Sequence, residues 1–274
     1  MKTENRPHRE PLKNCNKALT PKQWQLFWQN GYIKIENFLT PELFDQMSEE
    51  YDRVYQAALK KGDYGNFTDQ TRAREGDKVV NIVQVCERNA FFHRLLYYPF
   101  MLDIVEDLIG SNIQLFHDHL IYKPAGYGGP VFWHQDNQAW QCVPTSNVSC
   151  WMALDNADAE NGALHYVRGS HRTTMGQDVD PTTGRLLNIN EIIEAGPIDI
   201  VEVKAGDAIF HHCLTIHGSE ENRSERQRRA HSIIFCVTGT RCGRKPPQNN
   251  RPHDEGDHLP VSFGHPILKA HPVT

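Results

Sequence analysis

The second half of the chain constrains the fold most, because from Asn112 onward it breaks into short apolar or alternating runs separated by turn-forming residues. Strands at such short intervals, with no helical period between them, are typical of an antiparallel sandwich or barrel. The predicted strands are residues 113–122, 148–154, 163–167, 198–203, 208–216 and 230–237.

The first half of the chain is predicted to be largely helical. Thr20, Pro21 and Gln23 form a capping-box pattern with a first-turn proline, so a short amphipathic helix is expected to begin there and to end at Gly31. The other predicted elements are a strand at 32–38, a longer helix that begins at Thr40 and Pro41, and a helical segment at 90–108 that Pro99 breaks or kinks.

We expect one domain, because 274 residues with 39% in the hydrophobic set can build a single well-packed core. Residues 1–18 are polar and are predicted to be a flexible arm, which leaves 19–274 for the domain. A polar stretch at 61–78 is predicted to be a long exposed loop and is a candidate lid over a pocket. Residues 243–274 are predicted to be irregular.

Charge and composition argue against several classes of partner. A net charge of −5 and a pI near 6.3 provide no basic field for nucleic acid or for an anionic membrane surface. No run of 18 apolar residues and no N-terminal leader pattern occurs, so we expect a soluble, cytoplasmic protein. The seven cysteines, an odd number without a CxxC pair, predict free thiols in a reducing compartment.

The first candidate metal ligands lie in the tetrapeptide 133–136. His134 and Asp136 are two residues apart, and on an extended strand such positions point to the same face, where both can bind one ion. An HxD tripeptide by itself is weak, because a hydrogen-bonded pair is its more common outcome.

A third candidate ligand, His217, ends an apolar run and is followed eleven residues later by Arg228. Two imidazoles and one carboxylate that leave coordination positions open are typical of non-haem iron(II) oxygenases. The planar guanidinium of an arginine suits the far end of a dicarboxylate. His211 and His212 compete for the distal ligand role, but neither precedes Gly-Ser with an arginine at that distance, and neighbours on a strand face opposite sides.

Over roughly residues 25–240 the chain resembles the phytanoyl-CoA dioxygenase family of iron(II)/2-oxoglutarate oxygenases. The motifs that carry the resemblance are WHQD at 133–136, NGALHYVRGSHR at 161–172, AGDAIFHH at 205–212, and IHGS at 216–219 with Arg228. One departure is Arg168, where the family often has proline. The resemblance implies an α+β fold with a double-stranded β-helix core, a cupin-like jelly roll, and N-terminal helices packed outside.

The resemblance also implies roles for individual residues. His134, Asp136 and His217 would bind iron(II), and Arg228 would pair with the distal carboxylate of 2-oxoglutarate. Ser219 and Trp151 would complete the cosubstrate pocket. Dioxygen would react at the remaining metal position, with succinate and CO2 as coproducts. Related halogenating enzymes have a small residue in place of the carboxylate, so Asp136 favours hydroxylation.

The substrate side is less defined by the sequence. The candidate substrate contacts are Tyr122, Lys123, Asn137, Trp140 and His119, and each has a plainer interpretation as a packing residue, a solvated lysine or a core histidine. An acidic chain without a basic patch for a CoA nucleotide favours a small zwitterion, such as an aminoalkylphosphonate or an ectoine-like compound, over an acyl-CoA or a natural product. A cupin-like metal protein or sensor that does not use 2-oxoglutarate is the alternative from another class. The oligomeric state stays open.

Overall fold

The computed structural model describes residues 18–66, 68, 72–172, 196–242, 259–260 and 267–270. Most of the predicted arm and most of the predicted irregular segment lie outside these residues. The single-domain organisation and the lid therefore remain predictions.

The helices are α1 (Pro21–Asn30), α2 (Pro41–Lys61), α3 (Ala90–Leu95), α4 (Pro99–Ile109) and α5 (Asp136–Trp140). The strands are β1 (Tyr32–Ile35), β2 (Gly65–Asn66), β3 (Val80–Val83), β4 (Ile113–Lys123), β5 (Val131–His134), β6 (Cys142–Val143), β7 (Val148–Ala153), β8 (Leu164–Val167), β9 (Ile198–Val201), β10 (Ala208–His212), β11 (His217–Ser219), β12 (Arg228–Val237), β13 (Arg241–Cys242), β14 (Leu259–Pro260) and β15 (Ile267–Lys269).

The helix ends follow the local sequence signals. Thr20 Oγ1 accepts a hydrogen bond from Gln23 N at 3.2 Å, which forms the predicted capping box of α1. Gly31 ends the helix at φ 88°, and a Cβ there would lie 2.5 Å from Thr215 Oγ1, so both the backbone and the space require glycine. Pro99 begins α4, which confirms the predicted break in the segment 90–108.

Two antiparallel sheets form the β-structure that holds the site. The larger has the order β1-β10-β7-β12-β4-β3-β2, with β15 also paired to β4, and the smaller has the order β5-β11-β8-β9. The predicted strand 208–216 is too long, because β10 ends at His212 in the larger sheet and residues 213–216 form the turn that leads to β11 in the smaller one. The chain therefore crosses between sheets just before His217.

The α+β jelly roll has its helices outside the larger sheet. Side chains of α1, α2, α3 and α4 pack with the outward residues of that sheet in one apolar cluster, which includes Phe27, Met47, Phe92, Ile104 and Phe210. A second cluster lies between the two sheets and contains Trp151, Tyr166 and Ile209. Burial of each such side chain contributes about 1.5–3 kcal/mol to stability. The helices therefore cover the outer face of the larger sheet, and the inner face of that sheet is left for the site.

The sequence expectation about the cysteines is wrong. Cys142 and Cys242 form a disulfide although 100 residues separate them, whereas all cysteines were expected to be free. Pairing of β6 with β13 places these two residues opposite each other, and no local spacing signals such a contact. Within the segment expected to be irregular, Ile267–Lys269 forms β15 on the edge of β4. No helix among the described residues is long and apolar enough to cross a bilayer.

Candidate active site

The three predicted ligands converge at one end of the space between the sheets. One ligand atom from each of His134, Asp136 and His217 lies within 4.8 Å of the other two. Asp136 Oδ1 is 3.4 Å from His134 Nε2 and 3.7 Å from His217 Nε2. These separations fit two nitrogens and one oxygen around a single cation.

His134 and Asp136 do not lie on one strand, as the sequence argument assumed. His134 is the last residue of β5, and Asp136 is the first residue of α5. The backbone turns between them at Gln135, whose side-chain Nε2 donates to Leu214 O at 2.5 Å. Asn137 N donates to Cys213 O at 3.0 Å. The loop that follows β10 thus holds this strand-to-helix junction in place, so that the two side chains still meet.

Both histidines of the cluster are oriented by backbone carbonyls. His134 Nδ1 donates to Phe132 O at 2.8 Å, and His217 Nδ1 donates to Thr215 O at 2.9 Å. Because a carbonyl can only accept, each neutral ring carries its proton on Nδ1 and has a free lone pair on Nε2. The atoms that face Asp136 are therefore the atoms able to bind a metal.

The protonation states of the cluster also suit a metal. Burial, and then the nearby His134, lower the pKa of His217 to about 3. Burial alone would raise the pKa of Asp136, but the neighbouring histidines, His217 first, hold it well below its usual value. An ionised carboxylate beside a neutral imidazole is the form that binds a cation.

Arg228 lies deeper between the sheets and is almost completely buried, at 1% exposure. Its Nε and Nη1 have no hydrogen-bond partner among the described residues, and neither do the buried Ser219 Oγ and Trp151 Nε1. The guanidinium carbon lies 5.4 Å from the centre of the Trp151 ring. Burial lowers the pKa of Arg228 to about 10, so the group stays charged at neutral pH. These donors fit a carboxylate ligand.

Lys123 lies beside Arg228, since the two residues pair directly across β4 and β12. It is fully buried, and its Nζ donates to the carbonyl oxygen of Glu220. Burial, and then the charge of Arg228, lower the pKa of Lys123 well below its usual value. The residue is therefore not the solvated lysine of its plainer interpretation.

The other predicted substrate residues separate into two groups. His119 faces inward two positions from Ile121 on β4, with Nδ1 3.0 Å from Asn81 Oδ1, and burial followed by His117 lowers its pKa to about 3. Trp140 packs edge-on against His117 at 5.5 Å, which leaves it beside the same inner wall.

Tyr122 and Asn137 have contacts that explain them without a substrate. Tyr122 lies on the opposite face of β4 from Lys123 and stacks on Tyr55 of α2 at 4.5 Å. The side-chain amide oxygen of Asn137 accepts a hydrogen bond from the backbone N–H of Cys142 at 2.9 Å. We therefore leave both out of the proposed substrate contacts.

Sequence reasoning missed the residues that surround Asp136. Ser149 Oγ donates to Asp136 Oδ2 at 3.2 Å, and His211 Nε2 lies 3.3 Å from the same oxygen. Strand alternation can assign His211 and Ser149 to inward faces, but only the register of β10 with β7 brings them opposite each other.

Residues 27–230 match the family model described as "Phytanoyl-CoA dioxygenase (PhyH)". Among curated relatives, the peroxisomal phytanoyl-CoA dioxygenase of Mus musculus is 26% identical over 240 residues, which cover 83% of this chain and 71% of the relative. The ectoine dioxygenase of Bordetella bronchiseptica is 25% identical over 233 residues, which cover 76% of this chain and 72% of the relative.

A solved structure has the same fold. It is the epimerase SnoN in complex with Fe3+, alpha ketoglutarate and nogalamycin RO, at a TM-score of 0.74 and 20% identity, with 90% of this chain and 98% of that chain covered. The likeness confirms the jelly-roll architecture.

Proposed function

The chain belongs to the phytanoyl-CoA dioxygenase family of iron- and 2-oxoglutarate-dependent oxygenases, and from this premise we propose that it hydroxylates a small organic molecule at the His134–Asp136–His217 cluster. As a dioxygenase of this family it uses iron, 2-oxoglutarate and dioxygen. The bound iron and cosubstrate together supply oxidation of the substrate by dioxygen, with succinate and CO2 as coproducts.

In this proposal the chain supplies the three metal donors in fixed orientations. The Nδ1 atoms of His134 and His217 donate hydrogen bonds to backbone carbonyl oxygens, so the Nε2 atoms of both rings are available to bind the metal. Asp136 supplies the negative charge that a divalent cation requires. Burial of the cluster, with 8% of the His217 side chain and 13% of the Asp136 side chain exposed, restricts water at the metal.

The observation that carries the proposal is the buried guanidinium of Arg228, of which two nitrogens have no hydrogen-bond partner in the described part of the chain. A buried cation without a counter-ion is costly, and a carboxylate that pairs with it offsets that cost. Ser219 adds a hydroxyl donor from the same strand, β11, that carries His217. Arg228 and Ser219 would therefore hold the distal carboxylate of 2-oxoglutarate.

The test is anaerobic titration of the iron(II)-loaded protein with 2-oxoglutarate, followed by the visible charge-transfer band of the chelate. Arg228→Met should weaken 2-oxoglutarate binding by about 30-fold or more, as removal of one partner from a buried charged pair costs about 2 kcal/mol or more. Iron(II) binding should not change. Absence of the band in folded wild-type protein would contradict the proposal.

Arg229→Met is the matched control. Arg229 is the next residue on β12, but its guanidinium bonds Asp155 and Asp52 on the other side of the sheet. This variant also loses an arginine charge, and it should keep the 2-oxoglutarate affinity of the wild type. Equal losses in the two variants would mean that Arg228 acts through general stability or charge.

For the substrate we propose a small polar molecule of balanced charge, of the zwitterion class. The inner wall beside the cluster carries imidazole, amide and indole groups from His119, Asn81 and Trp140. With the pKa of His119 near 3, this imidazole is neutral and can only donate or accept hydrogen bonds. Such a wall suits a ligand whose charges cancel better than an acyl-CoA with several phosphates.

A screen of zwitterions, acyl-CoA thioesters and larger natural products, with succinate release as the readout, tests the substrate class. Product mass must increase by one oxygen, because succinate alone can arise from uncoupled turnover. The mass also separates hydroxylation from epimerisation, the reaction for which the structural neighbour is named. Turnover confined to acyl-CoA compounds would refute the zwitterion proposal and leave the oxygenase intact.

A further inference from the structure

The two carboxylate oxygens of Asp136 have different surroundings. Oδ1 faces the ligand nitrogens of His134 and His217, at 3.4 and 3.7 Å. Oδ2 is turned toward the larger sheet, where it accepts from Ser149 Oγ at 3.2 Å and lies 3.3 Å from His211 Nε2. Only Oδ1 is thus directed at the space between the two imidazoles.

The contacts of His211 fix its tautomer. Its Nδ1 lies 3.0 Å from the hydroxyl of Tyr166, and its Nε2 faces a carboxylate oxygen that can only accept. A neutral imidazole with Nε2–H donating to Asp136 has a lone pair on Nδ1, which accepts from the Tyr166 hydroxyl. The hydrogen-bond chain therefore runs in one direction, from Tyr166 through His211 to Asp136.

This chain is held rigidly between the two sheets. His211 is 3% exposed and Tyr166 is fully buried. The Tyr166 ring stacks on Tyr32 at 4.3 Å, and the Tyr32 hydroxyl donates to Asp199 Oδ2 at 2.6 Å. Register pairing places His211 between Tyr32 on β1 and Ser149 on β7. The imidazole has little freedom to leave Asp136.

We propose that His211 is a positioning residue that, with Ser149, holds Oδ2 of Asp136 and so keeps Oδ1 directed at the space between the two imidazoles, where the metal would bind. The inference rests on the proposed metal site. With three protein donors an octahedral ion has three positions open for cosubstrate and dioxygen. A carboxylate free to rotate can turn Oδ1 away from the two imidazoles, and this would weaken one of the three protein donors.

The test compares His211→Phe, which keeps a buried ring without a donor, with His211→Gln, whose amide can still donate to Asp136. The readout is the dissociation constant of Mn(II) without 2-oxoglutarate, measured from the electron paramagnetic resonance signal of free Mn(II). His211→Phe should weaken binding by about 10- to 100-fold, the usual cost of losing a partner of a metal ligand. His211→Gln should recover most of this loss. The visible spectrum of the Co(II)-loaded protein should change in His211→Phe and return toward wild type in His211→Gln.

His212→Phe is the matched control, since His212 is the adjacent buried histidine but lies on the outer face of β10, 6.0 Å from the Trp28 ring. It should bind Mn(II) like the wild type. Wild-type affinity in His211→Phe would overturn the inference alone, as would equal losses in His211→Phe and His211→Gln. A wild-type protein that does not bind Mn(II) would refute the metal site as well.

Discussion

Buried polar atoms near the metal cluster are of two kinds. The Nδ1 atoms of His134 and His217 are satisfied by backbone carbonyls, so the fold itself fixes those rings. Ser219 Oγ and Trp151 Nε1 are buried without a partner among the described residues. Most buried polar atoms in proteins are hydrogen-bonded, so the second kind supports the proposed position of the cosubstrate.

Ser219→Ala should therefore weaken 2-oxoglutarate binding without lowering the stability of the fold. Its hydroxyl bonds no described group, so its removal should leave the melting temperature close to that of the wild type. The loss of one hydrogen bond to a charged ligand costs about 1.5–3 kcal/mol, which predicts 2-oxoglutarate binding weaker by about 10-fold or more. Calorimetric titration and thermal melting of the same samples measure both.

Thr40→Ala should give the opposite pattern. Thr40 Oγ1 caps α2 by accepting from Leu43 N at 3.3 Å, far from the site in the fold. Loss of an N-cap costs about 1 kcal/mol of stability, and 2-oxoglutarate affinity should stay at the wild-type value. A Ser219→Ala variant that melts early and binds normally would contradict the assigned role.

Among the elements, β4 connects the core to the site, because one of its faces lines the site and the other packs against the helical layer. The inward face carries His119 and Lys123, whereas the outward face carries Asp118. Asp118 lies 3.0 Å from His231 on β12, with both side chains fully buried, and its carboxylate also accepts from Cys86 N at 3.1 Å. This hydrogen-bonded pair links the two central strands to the helical layer.

Asp118→Asn should destabilise the protein. Hydrogen bonds to a buried charged group contribute about 1.5–3 kcal/mol each, and an amide in place of the carboxylate leaves His231 and Cys86 N with a weaker acceptor. Burial would raise the pKa of Asp118, but bonds from His231 and Cys86 lower it overall. The stabilisation is therefore complete above the unfolded pKa of about 3.9 and is lost as the pH falls through the lower folded pKa.

Urea unfolding as a function of pH measures this effect, and the acid-dependent loss attributed to Asp118 should be absent from the variant. Glu36→Gln, which breaks the exposed pair with Lys34, should not change stability measurably. An Asp118→Asn protein as stable as the wild type would show that the pair contributes little.

The whole molecule brings the site together from both sheets. His134 and His217 come from the smaller sheet, Arg228 and Trp151 from the larger one, and Asp136 from the helix that follows β5. A ligand that contacts both sheets binds the folded state and not the unfolded chain, so its binding energy adds to the stability of the whole fold.

Metal and cosubstrate should therefore raise the melting temperature together. At concentrations about 100-fold above their dissociation constants, Mn(II) and 2-oxoglutarate should raise it by roughly 5 °C or more. Addition of a chelator should reverse the shift, and 2-oxoglutarate without metal should have a smaller effect, because its keto-acid end then lacks an ion. Differential scanning calorimetry under nitrogen measures these shifts. No shift with both ligands would contradict a site that spans the sheets.

Local sequence signals were enough to predict most of the helices and long strands and the three residues of the candidate metal cluster. Capping residues predicted α1 and α2, and alternation predicted most of the long strands, because these signals depend on neighbours a few residues away. The spacing of His134, Asp136 and His217 with Arg228, together with the family motifs, predicted the ligand cluster before any geometry was known.

How those residues meet depends on long-range packing, which local signals do not contain. The junction between β5 and α5, the Cys142–Cys242 disulfide and the outward position of Tyr122 depend on contacts between distant segments. The contacts of His211 with Asp136 and Tyr166 depend on strand register in two sheets. Local preferences fix which way a side chain points along its own strand, but the partner opposite it is set by packing of the whole chain.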